Sequence, residues 1–317
     1  MRMTPHQHDS DFRHAALFYF GEDGYVNGLV PFIQEGVEAE EPVLVMVPGR
    51  KTGLLREALG QDGADVHFTD MADVGANPAR IIPAWHDFVS ERSSQGRRVR
   101  GIGEPIWADR TPEELVECQH HEALLNFAFD GVAPMDLVCP YDSQTLGCDI
   151  VKEAMRSHPI VLDKGNFRQC AGYAGSKAAA APFDRPLSLA PADAPELAFD
   201  VLTLDAARRF VAMCASEAGL SRARRDDVVI AVNELADNSV MHGGGGGLLR
   251  AWIDDQSFVA EVRDQGLIDR PLAGREAREE DQVGGQGLWL VNQLCDLMQI
   301  RTFPTGTVVR VYMRLNG

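Results

Sequence analysis

Apolar and polar positions in the first half of the chain follow two alternating periods. Strand-like apolar runs occur at AALFYF (15–20), PVLVMVP (42–48), ADVHFT (64–69), RVRGIG (98–103) and PMDLVCP (134–140). Between them, Tyr25–Glu40, Lys51–Leu59, Asn77–Ser94 and Thr111–Phe129 carry apolar residues at helical spacing. Alternation of this kind predicts a mainly parallel sheet covered by helices on both faces.

From Ser176 to Pro195 the pattern lapses into SKAAAAPFDRPLSLAPADAP, where four prolines oppose a continuous helix or central strand. We place a linker at 176–195, with one domain at 1–175 and a second at 196–317. The second half opens with a strand at Leu197–Leu204 and two helices, Asp205–Ala218 and Ser221–Met241. Two strands follow, Leu248–Asp254 and Phe258–Arg263, then a polar loop, a short helix at Gly287–Leu297 and two final strands. Helices followed by an antiparallel meander predict an α/β sandwich with its helices on one face. The glycine run Gly243–Gly247 reads as a loop tip, because a strand and not a helix follows it.

Length agrees with two domains, since 317 residues exceed one small core. The net charge of −17 opposes phosphate backbones and anionic membrane surfaces, so direct DNA binding is not expected. No apolar run reaches the roughly 18–20 residues that span a bilayer, and the polar start MRMTPHQHDSDFRH lacks the core of a signal peptide. A cytoplasmic protein is expected. The six cysteines are scattered without a C-x-x-C pair, and are predicted to be reduced thiols outside any metal site; His120-His121 suggests none either. His14 reads as structural, and His158-Pro159 as a helix end.

Candidate chemistry concentrates in the second half. In VVIAVNELADNSVMHG, Glu234 and Asn238 stand four residues apart, on one helix face. The strand FVAEVRD ends at Asp264, followed by Gln265 and Gly266. A carboxylate there can accept a hydrogen bond from an exocyclic amine, and glycine permits close approach. Further on, Gly284, Gly285 and Gly287 lead into a helix, whose free N–H groups suit phosphate. Gly306-Thr307 opens the last strand.

In this order, these elements resemble the nucleotide-binding boxes of the GHKL superfamily, the ATP-binding fold shared by gyrase, Hsp90, histidine kinases and MutL. The resemblance covers roughly residues 195–317. It implies ATP and Mg²⁺ as cofactors, with Asn238 on Mg²⁺, Asp264 and Gly266 at adenine, Gly285 and Gly287 at phosphate, and Thr307 near the base. The segment Leu267–Val283 would form a lid. The second glycine usual in the Asp264 box is absent near Ile268.

Within that superfamily the sequence is most similar to anti-sigma factor serine kinases of the RsbW type. This implies transfer of the γ-phosphate to a serine of a STAS-domain antagonist, sequestration of a sigma factor in regulating transcription, and a homodimer. Glu234 would be the catalytic base.

In the first half, HAALFYF, GEP-x-W (Gly103–Trp107), HEALLNFAF and LVCPYD (137–142) resemble the MEDS sensory domain, a relative of the RecA/KaiC fold. In an open parallel sheet, ligands sit beyond the carboxyl ends of the strands. Glu104 and Asp142 are therefore expected at a crevice edged by Tyr19, Trp107 and Tyr141, open to a small-molecule ligand. The first loop, GEDGYVNG, lacks the Lys-Ser/Thr of a P-loop.

Three functions compete. The first is a sensory domain controlling an anti-sigma serine kinase. The second is an ATP-dependent switch that sequesters a partner without phosphorylating it. The third is a sensor histidine kinase using His121-Glu122, opposed by the Pro-rich linker that stands where a dimerisation helix pair should be.

Overall fold

The computed structural model describes residues 12–93, 96–132, 134–175, 185–276 and 286–315. The chain divides into two compact units, Met1–Val74 with Ala84–Ala179, and Gly75–Pro83 with Ala180–Gly317.

The first unit is built on a seven-stranded sheet. Its strands are β1 (Phe12–Tyr19), β2 (Val43–Val47), β3 (Val66–Asp70), β4 (Val99–Gly103), β5 (Met135–Asp142), β6 (Ile160–Asp163) and β7 (Asn166–Gln169). They lie in the order β3-β2-β4-β5-β1-β6-β7. All neighbouring pairs are parallel except the β6–β7 hairpin. The connecting helices are α1 (Gly21–Glu38), α2 (Gly49–Leu59), α3 (Met71–Val74), α4 (Ile81–Arg92), α5 (Pro112–Ala128) and α6 (Cys148–Ser157).

Period-two alternation divides each strand between two covered faces. On β1, Ala15, Leu17 and Tyr19 join Leu29 and Ile33 of α1 and Leu55 of α2 in one core cluster. His14 points the other way and meets Glu122 and Asn126 of α5. All of Val43–Val47 is buried, as expected of a central parallel strand. Helix α5 starts at a capping box, in which Glu114 N–H donates to Thr111 Oγ1 (3.2 Å) and Thr111 N–H to Glu114 Oε2 (3.1 Å).

The expected helix over Asn77–Ser94 is broken at its start. Asn77 accepts from the Ala79 N–H (3.0 Å), and Pro78–Arg80 form a 3₁₀ turn before α4 begins. Helix α6 ends at Ser157, at the helix end read from His158-Pro159, while the β6–β7 hairpin has no counterpart among the predicted elements.

The second unit contains a five-stranded antiparallel sheet in the order β11-β12-β10-β9-β8. Here β8 is Glu196–Asp200, β9 Gly246–Asp254, β10 Ser257–Asp264, β11 Leu297–Phe303 and β12 Gly306–Arg314. Helices α7 (Leu204–Glu217), α8 (Arg222–His242) and α9 (Gly287–Leu294) bury Val211, Val228, Val232, Leu235 and Val291 against Phe258, Ala260, Val262 and Val311 of the sheet. The mixed α/β architecture, parallel-dominated first and antiparallel with helices second, is the one the periodicity predicts.

Three boundaries shift for local reasons. Strand β8 stops at Asp200, where its carboxylate accepts from Leu202 N–H (2.9 Å) and Thr203 Oγ1 returns to bond the Asp200 N–H (2.8 Å). That turn ends the strand that periodicity extends to Leu204. Helix α9 stops at Leu294, and Leu297 begins β11. The run Gly243–Gly247 is only partly a loop. Gly246 and Gly247 are strand residues opposite Asp200 and Phe199, and a Cβ on Gly246 would lie 2.2 Å from the Phe199 carbonyl oxygen.

On the sheet face away from the helices, Glu261 and Arg310 are paired neighbours on β10 and β12 and both are buried. Arg310 donates to Glu261 Oε2 through Nε (3.1 Å) and Nη2 (2.6 Å) and also to the Ser188 carbonyl (2.7 Å); Arg263 donates to Glu261 Oε1 (2.6 Å). Among the described residues, no helix is long and apolar enough to cross a membrane.

Candidate functional site

Helix α8 starts at Ser221, whose hydroxyl accepts from the Arg224 N–H. It presents two polar pairs with four-residue spacing. Asn233 donates to Asp237 (2.9 Å) and accepts from Arg208 of α7, which ties that pair to the neighbouring helix. Glu234 and Asn238 lie beside the start of α9. A Cβ placed on Gly287 would stand 2.9 Å from Glu234 Oε2 and 3.3 Å from Asn238 Nδ2. Only glycine leaves both polar groups undisturbed at this approach.

At the next residue of α8, Ser239 Oγ donates to Asp264 Oδ2 (2.6 Å), while the Gly266 N–H donates to Asp264 Oδ1 (2.8 Å). The carboxylate at the end of β10 is thereby held rigidly, with acceptor capacity left on both oxygens. Thr307, paired with Asp264 across β10 and β12, is buried. Its hydroxyl donates to the Gly266 carbonyl (2.8 Å) and lies 3.0 Å from that of Thr302.

These groups open onto a cavity of about 660 Å³, within the range of small-molecule sites. Asn238, Asp264, Gly266 and Thr307 line it together with apolar Leu235, Val262 and Val309. Glu234 and Gly287 are not among its lining residues, and Gly285 lies outside the described residues. Of the expected lid, 267–276 are described. Leu267, Ile268, Leu272 and Gly274 line the cavity, so Ile268 adds an apolar wall where the related box carries glycine. The Gly274 carbonyl accepts from Asn292 Nδ2 of α9 (2.8 Å). Within the same unit, Arg80 donates to the carbonyls of Asn292 (2.8 Å), Gln293 (2.8 Å) and Cys295 (3.0 Å), capping the C-terminal end of α9.

The residues fit a purine nucleotide with its metal. Asp264 offers an anchored acceptor in the cavity wall, and the glycines at 266 and 287 permit close approaches that a Cβ would block, against the His242 carbonyl oxygen and Glu234 Oε2. Asn238 adds an oxygen donor of the kind Mg²⁺ accepts.

In the first unit, Tyr19 and Glu104 come together as expected at the carboxyl ends of β1 and β4. The Tyr19 hydroxyl donates to Glu104 Oε1 (3.1 Å), and Lys51 bonds both groups. Burial pushes the Glu104 carboxyl up to about 7, against the opposing pull of Lys51 and Tyr19; nearby Asp142 raises it further. Glu104 Oε2 has no hydrogen-bond partner among the described residues. Sequence reading missed Lys51, although it follows Pro48-Gly49 at the end of β2, where the crevice rule directs attention.

Of the other expected crevice residues, Asp142 stays beside this pair, opposite Tyr19 across β1 and β5, while Trp107 and Tyr141 diverge. The Trp107 ring lies under the Arg110 guanidinium, 3.8 Å from its centroid. Half-buried Asp142 accepts from the Gln144 N–H (3.0 Å). Tyr141 does not join Tyr19. It packs edge-on against His158 (5.5 Å), while Tyr19 packs with Tyr25 in the α1-side core.

A second buried cluster was hidden by spacing. His14, Glu122, Cys139 and His158 each offer a ligand-type atom, all within 4.8 Å of one another. Burial lowers the His14 pKa to about 4, with His158 acting in the same direction. His121, the candidate phosphoacceptor, is buried on α5.

Comparisons with known proteins match two separate stretches of the chain. Residues 13–159 match the family model of the MEDS domain, the methanogen/methylotroph DcmR sensory domain. Residues 197–313 match that of the histidine kinase-like ATPase domain. No curated protein matches the chain. Among solved structures, it is similar to the RsbU and RsbW domains of Rv1364c from Mycobacterium tuberculosis, at 21% identity and a TM-score of 0.30 over 39% of this chain and 33% of that one. It is also similar to the Acinetobacter baumannii histidine kinase AdeS, at 14% identity and a TM-score of 0.24 over 39% of this chain and 68% of that one. The chain thus spans about a third of the length of the first of these structures. In order along its sequence, the chain carries a MEDS sensory domain and then a histidine kinase-like ATPase domain.

Proposed function

We propose that the second domain binds Mg-ATP and phosphorylates a serine on a STAS-domain partner, acting as an anti-sigma regulator under control of the MEDS domain. The observation carrying this reading is the meeting of Glu234 and Asn238 with Gly287, beside the cavity that holds Asp264 and Thr307. Bound Mg-ATP would supply the phosphoryl group. Asn238 holds the metal through its side-chain oxygen. Asp264 accepts from the adenine amine, and Thr307 supports the Gly266 turn beneath the base. Gly287, the first residue of α9, would face phosphate, a role the sequence resemblance also gives to Gly285. Glu234 takes the proton of the attacking serine hydroxyl, the role a carboxylate plays when phosphoryl transfer is governed by positioning.

Gly287→Ala is a sensitive probe of that placement. The added methyl meets the far end of Glu234, which swings aside at little cost to the fold. Transfer is expected to fall by up to about 10²-fold, the cost of misplacing a reacting group by an ångström, with only a small change in melting temperature.

The reading is tested by incubating the full chain with labelled ATP and a STAS-domain protein. Acid-stable label on a STAS serine, absent from the serine-to-alanine partner, is the expected result. Nucleotide-dependent partner capture without label would replace the kinase by a binding switch.

A further inference from the structure

We propose that His14, Glu122, Cys139 and His158 form a closed site for a zinc-like divalent metal ion inside the MEDS domain. The four residues come from β1, α5, β5 and the segment after α6, and all are buried.

The hydrogen bonds around the cluster fix which imidazole atoms face inward. His158 Nδ1 lies 2.8 Å from the Ala154 carbonyl oxygen, which can only accept, so Nδ1 carries the proton. Asn126 Nδ2 donates to the Ser157 carbonyl (2.8 Å), which orients the amide and leaves Oδ1 to accept from His14 Nδ1 (3.2 Å). Both neutral rings therefore turn a lone pair on Nε2 towards the centre. There they meet the Glu122 carboxylate and the Cys139 thiol. Glu122 Oε2 is 3.1 Å from His14 Nε2 and 3.3 Å from His158 Nε2, and Cys139 Sγ is 3.4 Å from His14 Nε2. Among the described residues, His158 Nε2 and Glu122 Oε1 have no hydrogen-bond partner.

Lone pairs converging on a common centre call for a cation. Metal-binding histidines ordinarily give their second N–H to a carbonyl or carboxylate, as both rings do here. Zinc bonds to nitrogen and oxygen of about 2.1 Å imply tetrahedral edges of about 3.4 Å, close to the separations present. Two imidazoles, one carboxylate and one thiolate also neutralise a divalent ion, which suits a fully buried position. A nitrogen and sulfur donor set selects zinc and its neighbours over magnesium or calcium. On binding, Cys139 loses its thiol proton to the buffer and coordinates as thiolate.

The test is metal analysis of the full chain purified without chelators, followed by stripping and titration with cobalt(II). The expected result is about one zinc per chain. Cobalt should then give intense tetrahedral visible bands and a thiolate-to-cobalt charge-transfer band, the latter lost in Cys139→Ser. Asn126→Ala, which removes the acceptor that orients His14 together with the donor to the Ser157 carbonyl, should weaken binding by about 10–100-fold. A folded wild-type chain that takes up neither metal stoichiometrically would overturn the proposal and leave a proton-sharing network. A charge-transfer band persisting in Cys139→Ser would overturn it equally, by placing the metal elsewhere.

Discussion

Glu234→Gln is expected to slow phosphoryl transfer by about 10²–10⁴-fold, the usual contribution of a general base, while Mg-ATP affinity stays close to that of the unaltered chain. Glutamine keeps the volume and the contact with Gly287 but cannot take the serine proton. Asn238, four residues along α8, retains its place for the metal, and the anchored Asp264 is untouched. Single-turnover transfer to the STAS partner, measured beside nucleotide titration, separates the two effects. Equal loss of binding and transfer would make Glu234 part of the nucleotide site. Unchanged transfer would remove it from the chemistry altogether.

The second large effect concerns stability. Glu261→Ala is expected to destabilise the ATPase domain by about 3–5 kcal/mol, because it strands the buried guanidinium of Arg310. Replacing Glu261 and Arg310 together by apolar residues of similar size should recover much of that loss. A pH dependence follows from the same pair. Burial by itself would raise the Glu261 pKa, but the hydrogen bonds from Arg263 and Arg310 outweigh it and leave the carboxyl below its ordinary 4.5. With the folded value below the unfolded one, this contribution is complete above the unfolded value and is lost as pH falls through the folded one. Calorimetric unfolding between neutral and acid pH should show the single variant losing less stability on acidification than the unaltered chain. Equal acid sensitivity would contradict the assignment.

Much of the fold is legible in the sequence because buried parallel strands read as unbroken apolar runs. Val43–Val47 is wholly buried, and Met135–Asp142 nearly so. The β6–β7 hairpin escapes for the converse reason. Each strand has four residues, and Leu162 alone among them is fully buried, too little pattern to mark a sheet. In the second unit, Glu234 and Asn238 are legible from helical spacing, and Asp264, Gly266 and Thr307 from their positions at strand ends. The nearness of Gly287 to Glu234 is not, since it depends on how α9 packs against α8. Lys51 and the His14–Glu122–Cys139–His158 cluster are hidden by topology. Strand β1 lies between β5 and β6, strands more than a hundred residues away in sequence, so their neighbours carry no local signature.

In the proposed function Asn238, Asp264 and the α9 entry form one nucleotide site, which calorimetric titration of the full chain with Mg-ATP, beside Asn238→Ala, puts to the test. Saturable binding at one site per chain, abolished in the variant while its melting temperature without nucleotide is retained, is the predicted result. Absence of binding by folded wild-type protein, or undiminished binding by Asn238→Ala, would contradict it.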